Sequence, residues 1–148
     1  MTLNVGENSY VSVADADTYF TDRNNSSWAA SDTATKEAAL IEATQYLDAS
    51  YRWRGTVASS GQALGWPRTG ASDREGRTLS SALVPAAIED AAFELASARL
   101  SNPLLPPQPR GGRTSKEKVG PLEVTYHPGA PGEMTYNLVE RILVGLHN

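Results

Sequence analysis

Between Thr33 and Tyr51 the chain holds neither glycine nor proline and is rich in Ala, Glu and Leu, a composition that strongly favours an α-helix. Asp32 stands where an N-cap belongs. Leu40, Thr44, Leu47 and Tyr51 fall on one stripe flanked by Ala43, so this helix presents a single apolar face. That face must be buried, and the chain has to supply partners. One runs from Pro85, a favoured first helical residue, to about Ser101, where Asn102-Pro103 stops it. Its Ile88, Ala92, Leu95 and Ala96 can face the first stripe, with the alanines permitting close approach. A shorter helix is expected over 12–23, opened by a capping-box-like Ser12 with Asp15 and ended by Asn24-Asn25. Val13, Ala16, Tyr19 and Phe20 recur along it at helical spacing. Trp28 then reads as an anchor under a short polar connection. A closing helix is expected over 136–146, with Leu138, Ile142 and Leu146 in register.

The segments between these helices have a different character. Residues 52–84 keep no sustained period and hold Gly55, Gly61, Gly65, Pro67, Gly70 and Gly76, which predicts a long loop leaving the core for a functional or partner-ordered role. After Pro103, the stretch LLPPQPRGGRTSKEKVG cannot form a core element by itself and reads as an extended arm. Residues 119–126 have strand character, with Leu122, Val124 and Tyr126 on one face and Pro121 restricting the strand to an edge or a start. The expected fold is mainly α: a small bundle of three to four helices with a long inter-helix loop and a C-terminal arm containing a short β-strand or hairpin. Residues 1–102 would form the core with its loop 52–84, and 103–148 the arm. At 148 residues, one domain is the natural expectation.

Charge is segregated along the chain. Residues 1–50 hold eight acidic against two basic side chains (net −6), 51–78 hold five basic against two acidic (+3), and 101–120 carry Arg110, Arg113, Lys116 and Lys118 against Glu117 (+3). A net charge of −4 is unlike a duplex-binding domain, which is usually basic throughout. The chain has no cysteine, and its two histidines, His127 and His147, lack neighbouring ligands, so neither a thiolate site nor a metal centre is expected. No long apolar window and no signal-like N-terminus are present, which argues against a membrane protein or a secreted precursor. Catalytic signatures are missing too: there is no Gly-x-Ser-x-Gly elbow, no phosphate-cradling glycine loop and no His-Glu-x-x-His helix. Asp15, Asp17 and Asp22 read as solvated helix surface.

Two stretches stand apart. In YRWRG (51–55) and GWPRTG (65–70), aromatic residues alternate with arginines. Tyr51, Trp53 and Trp66 could stack on bases while Arg52, Arg54 and Arg68 contact phosphates. The same residues equally suit a structural staple, with Tyr51 on the apolar stripe and the arginines at helix carboxyl ends, or a protein interface, where Trp, Tyr and Arg are enriched.

Taken in order, SYVSVADADTYF, KEAALIEATQYLDASYRWRG, QALGWPRTG, VPAAIEDAAFELA and KVGPLEVTY resemble a family of small phage proteins labelled DnaT-like single-stranded-DNA-binding proteins. The resemblance covers nearly the whole chain. In architecture such chains are also similar to the head-to-tail adaptors of tailed bacteriophages. That likeness implies a structural virion protein made in the host cytoplasm and placed at the head-tail junction. It would be a homo-oligomeric ring of about twelve copies, matching the usual symmetry of the portal, and would bind the phage portal protein and a tail or tail-nozzle protein. Genome DNA would pass through its channel without specific binding, and no catalytic residue, cofactor, metal or membrane would be involved. On this expectation Tyr51, Arg52, Trp53, Arg54, Trp66, Pro67 and Arg68 form a loop staple and partner interface. Leu104, Leu105, Arg110, Arg113, Lys116, Lys118, Leu122, Val124 and Tyr126 would form the arm that docks to the portal or a neighbour. The alternative is single-stranded-DNA binding in phage replication or packaging, with Tyr51, Arg52, Trp53, Arg54, Trp66 and Arg68 as the stacking and phosphate groups.

Overall fold

A computed structural model describes residues 2–104, 116–119, 121–125 and 136–148. The described elements are α1 (Val13–Asp22), α2 (Ser26–Ala29), α3 (Thr33–Ser50), β1 (Thr56–Val57), β2 (Arg68–Thr69), α4 (Ala86–Arg99), β3 (Lys116–Val119), β4 (Leu122–Thr125) and α5 (Asn137–Ile142). Helices thus dominate, but two separate antiparallel ladders, β1 with β2 and β3 with β4, make this a mixed fold rather than a plain bundle of three or four helices.

The caps explain where the helices start. Ser12 Oγ accepts from the Asp15 N–H at 3.1 Å, Asn25 Oδ1 from Trp28 N–H at 3.0 Å and Asp32 Oδ1 from Thr35 N–H at 2.8 Å. Through the Asn25 cap, the connection expected to be irregular becomes the short helix α2. Helix α3 pairs most extensively with α4: Ala39, Leu40, Ala43, Thr44 and Leu47 meet Ile88, Ala91, Ala92, Leu95 and Ala96, all buried. Alanines on both faces let the backbones approach closely. Thr44 is tolerated there because its hydroxyl accepts the Tyr10 N–H at 3.1 Å, so no polar group is left unpaired. At one end of the core Phe20, Trp28, Tyr19 and Phe93 cluster, with Phe20 and Trp28 centroids 4.7 Å apart. The Trp28 indole donates to Asp17 at 2.8 Å, and Lys36 pairs with the same carboxylate at 2.9 Å.

Two sequence expectations need correction. The 52–84 segment does not leave the core: Trp53, Trp66 and Ala71 are buried in it, and the chain between them folds back through β1 and β2, Thr56 opposite Thr69 and Val57 opposite Arg68. Its glycines serve tight returns; at Gly55 (φ +76°) an added Cβ would lie 2.5 Å from the Thr69 carbonyl oxygen. Likewise the C-terminal helix belongs to the core rather than to an arm. It ends at Ile142 rather than 146 and buries Val139, the turns after it bury Leu143 and Leu146, and Leu138 is 55% exposed. LVERILVGL carries two apolar stripes one residue apart, and the buried one is set by packing against α4, with Ile142 only partly covered. Leu104, expected in the arm, is also buried, and its carbonyl accepts the Tyr136 hydroxyl at 3.4 Å.

Of the remaining arm residues, Leu105, Arg110, Arg113 and Tyr126 lie outside the described residues. Lys116, Lys118, Leu122 and Val124 fall in the β3–β4 hairpin, whose register sets Lys116 against Thr125, Lys118 against Glu123, Glu117 against Val124 and Val119 against Leu122.

Leu40 is fully buried at the α3–α4 contact, so truncating it removes apolar area and leaves a cavity. Leu40→Ala is expected to lower unfolding stability by about 2–5 kcal/mol, read from urea denaturation midpoints.

Candidate nucleic-acid interface

Helix α3 ends at Ser50, and Tyr51 already has extended backbone angles (φ −115°, ψ 139°). Extended chain alternates its side chains between two faces, so Tyr51 and Trp53 point one way and Arg52 and Arg54 the other. The burial follows this alternation: Trp53 is 8% exposed, Tyr51 half-buried, and both arginines are exposed. The Tyr51 and Trp53 rings stack at 5.3 Å between centroids, and Trp66 meets Trp53 edge-on at 5.8 Å.

A single carboxylate gathers these groups. Asp48, in the last turn of α3, accepts hydrogen bonds from the Tyr10 hydroxyl, the Trp53 indole N–H (3.2 Å) and the Gly65 N–H (3.0 Å). The Tyr10 oxygen in turn accepts from the Trp66 N–H at 3.3 Å. Burial, reinforced by the hydrogen bond to Asp48 and its charge, pushes the Tyr10 hydroxyl far above the ordinary phenol range, so it stays protonated and donates. Gly65 has to be small: an added Cβ would sit 2.7 Å from Asp48 Oδ1 and 3.0 Å from the Trp53 ring.

Arg68 closes the loop from the other side. Its guanidinium donates to three carbonyls, those of Arg54 (Nε, 2.9 Å), Gly65 (Nη1, 3.1 Å) and Gly55 (Nη2, 2.8 Å). The Pro67 carbonyl accepts from Gln62 Nε2 at 3.0 Å and Ala58 N–H at 3.2 Å, and the Trp66-Pro67 peptide is cis. Trp66 is 2% exposed.

The arrangement brings Tyr51, Arg52, Trp53, Arg54 and Arg68 around an open groove of about 750 Å³, walled also by Asp48, Val57, Gln62, Leu64, Gly65 and Asn148. Pro67 and Trp66 stand behind this wall. Three roles considered from the sequence do not survive the geometry. Trp53 and Trp66 have no free face for a base, because they are buried, and three of the five Arg68 N–H donors are already taken by backbone oxygens. The Arg52 and Arg54 side chains, by contrast, make no hydrogen bond and no ion pair with a described residue. The sequence reading missed Asp48, Gly65, Gln62 and the C-terminal residues beside them. Only Asp48 offered a signal: an acidic side chain in the last turn of a helix faces the negative end of the dipole and calls for compensating donors.

A family model described as "Putative DnaT-like ssDNA binding protein" matches residues 2–148. The chain belongs to this DnaT-like family. No curated protein and no solved structure matches it. Membership corrects the expectation of a head-to-tail adaptor, since the family is described by DNA binding and not by a place beneath a portal. One of the adaptor's physical grounds falls as well. Among the grounds was a loop over 52–84 leaving the core and an extended arm from 103, yet Trp53, Trp66, Leu104, Val139, Leu143 and Leu146 of these segments pack into the chain's own core.

Asp48→Ala would strand the Tyr10 hydroxyl and the Trp53 and Gly65 N–H groups together. It is expected to cost about 2–4 kcal/mol of stability, more than a lone hydrogen bond, and to show as a lowered melting temperature together with a change in tryptophan fluorescence.

Proposed function

We propose that this chain binds single-stranded DNA along the groove beside Arg52 and Arg54, chiefly through the phosphate backbone. The observation that carries the reading is the pair of exposed arginines, in no ion pair among the described residues, on one face of an extended segment of a chain of the DnaT-like single-stranded-DNA-binding family. At strand spacing, residues two apart stand roughly 6.6 Å from each other, which suits contacts to successive phosphates of one extended strand. The net charge of −4 works against binding DNA over the chain as a whole, and a duplex, with twice the phosphate density, is disfavoured more. That balance favours a single strand.

Base stacking contributes little on this reading. Tyr51, the only aromatic of the two motifs that is not buried, already has its ring beside Trp53 and, at 4.9 Å, beside His147. Its hydroxyl donates to Glu140, and burial with that carboxylate keeps it protonated. Binding driven by phosphates has little sequence preference and is strongly salt-dependent. The reading calls for no catalytic group and no cofactor.

Fluorescence anisotropy with a labelled oligothymidylate checks it. Arg52→Ala and Arg54→Ala should each weaken binding and flatten the plot of log affinity against log salt by about 0.7. Affinities and slopes equal to wild type in both variants would refute the site.

A further inference from the structure

We propose that the segment Leu146–Asn148 is a working part of this site, positioning Arg52 and Arg54 by pairing with the backbone that carries them. The inference rests on the DNA-binding reading above. Once α3 has ended, nothing within residues 51–54 holds them extended, and fixing each residue costs about 1–2 kcal/mol in backbone entropy. Arg54 N–H donates to the Leu146 carbonyl and Asn148 N–H donates to the Arg52 carbonyl, both at 3.0 Å. Trp53 and His147 stand opposite one another as an antiparallel bridge. The two hydrogen bonds therefore involve the main-chain groups of the two arginines and of no other residue in YRWRG. They fix the strand phase that turns Trp53 inward and both guanidinium groups outward.

The C-terminal segment is itself anchored, so it can act as the fixed partner. Leu146 is 3% exposed in the core. Gly145 (φ +90°) passes so close to Arg74 that an added Cβ would lie 3.3 Å from its Cα. His147 lies 3.9 Å from a Glu140 oxygen, and its ring packs against Tyr51. With the backbone fixed, the arginines lose less conformational entropy when they meet phosphates. Coupling of this kind is reciprocal: whatever the pairing adds to DNA affinity, bound DNA must add to the pairing.

The test compares Asn148→Ala, which keeps the N–H, with Asn148→Pro, which lacks it and leaves buried Leu143 and Leu146 untouched. In oligothymidylate anisotropy over a salt series, Asn148→Pro should bind about five- to tenfold more weakly than Asn148→Ala, the worth of about one hydrogen bond. Its log affinity against log salt should also flatten by about 0.7 for each phosphate that the arginines no longer neutralise, a change that a merely structural strand would not produce. Equal affinity and slope in the two variants overturn the proposal and leave the DNA reading standing. Failure of the wild-type chain to bind any oligonucleotide refutes the DNA reading itself, and this inference with it. Should Asn148→Pro not fold, hydrogen exchange of the Arg54 amide in the wild-type chain decides. Saturating oligothymidylate should slow it by the same five- to tenfold, and an unchanged rate overturns the proposal.

Discussion

The Asp48 carboxylate is the point on which the irregular half of the molecule hangs. It sits on the longest helix, α3, and reaches the N-terminal segment through Tyr10, the chain leaving the helix through Trp53 and the returning loop through Gly65. These three are far apart in sequence and have no common hydrophobic period. One half-buried acceptor with several donors gives them a shared reference, and its energetic weight comes from the cost of leaving those partly buried donors unpaired. Arg68 then uses the complementary device, a rigid fork of donors closing on three backbone oxygens. Between a carboxylate that collects donors and a guanidinium that collects acceptors, a glycine-rich loop acquires one conformation without regular secondary structure.

This division of labour separates two kinds of arginine that look alike in sequence. Arg68 is satisfied by its own chain, and its charge is taken up by carbonyl dipoles. Arg52 and Arg54 are directed away from the core by the same extended backbone that turns Trp53 into it. Burial of the tryptophan and display of the arginines are thus one event, fixed by the two-residue period of the strand. The motif that suggests stacking on bases therefore works in reverse: its aromatic half builds the platform, and its basic half faces solvent.

What the sequence could show follows from the range of the interactions involved. Helices α1, α3 and α4 were legible, with their caps at Ser12 and Asp32 and their buried faces at Phe20, Leu40, Leu47, Ile88 and Leu95, because capping and helical periodicity act within a few residues. The stripe of α5 was misread because Leu138 and Val139 head two equally periodic patterns, and only packing against α4 chooses between them. The site was half legible: YRWRG and GWPRTG were the right segments, but the roles within them depended on partners 17, 56 and 89 residues away, as in Asp48 with Gly65, Tyr10 with Trp66 and Tyr51 with Glu140. No local pattern encodes such pairings.

Electrostatics follow the same logic of place over total. On α4, Glu89 and Asp90 are held above the ordinary carboxylate range, each first by burial; like charges add to this, Asp15 of α1 and Asp90 at Glu89 and Glu94 at Asp90, where Arg23 pulls the other way. Several carboxylates therefore share this face of the helical body, where burial and neighbouring negative charge both disfavour the charged form. A polyanion approaching that body is repelled, whereas Arg52 and Arg54 offer attraction at short range, inside the screening distance of roughly 8 Å at physiological salt. An acidic chain can thus bind a phosphate backbone if its cations are displayed together and unpaired, and the surrounding repulsion then makes contact depend on the strand lying along the groove. On the proposed reading, the same field that lowers affinity would favour a strand lying along the groove, where the two arginines outweigh it.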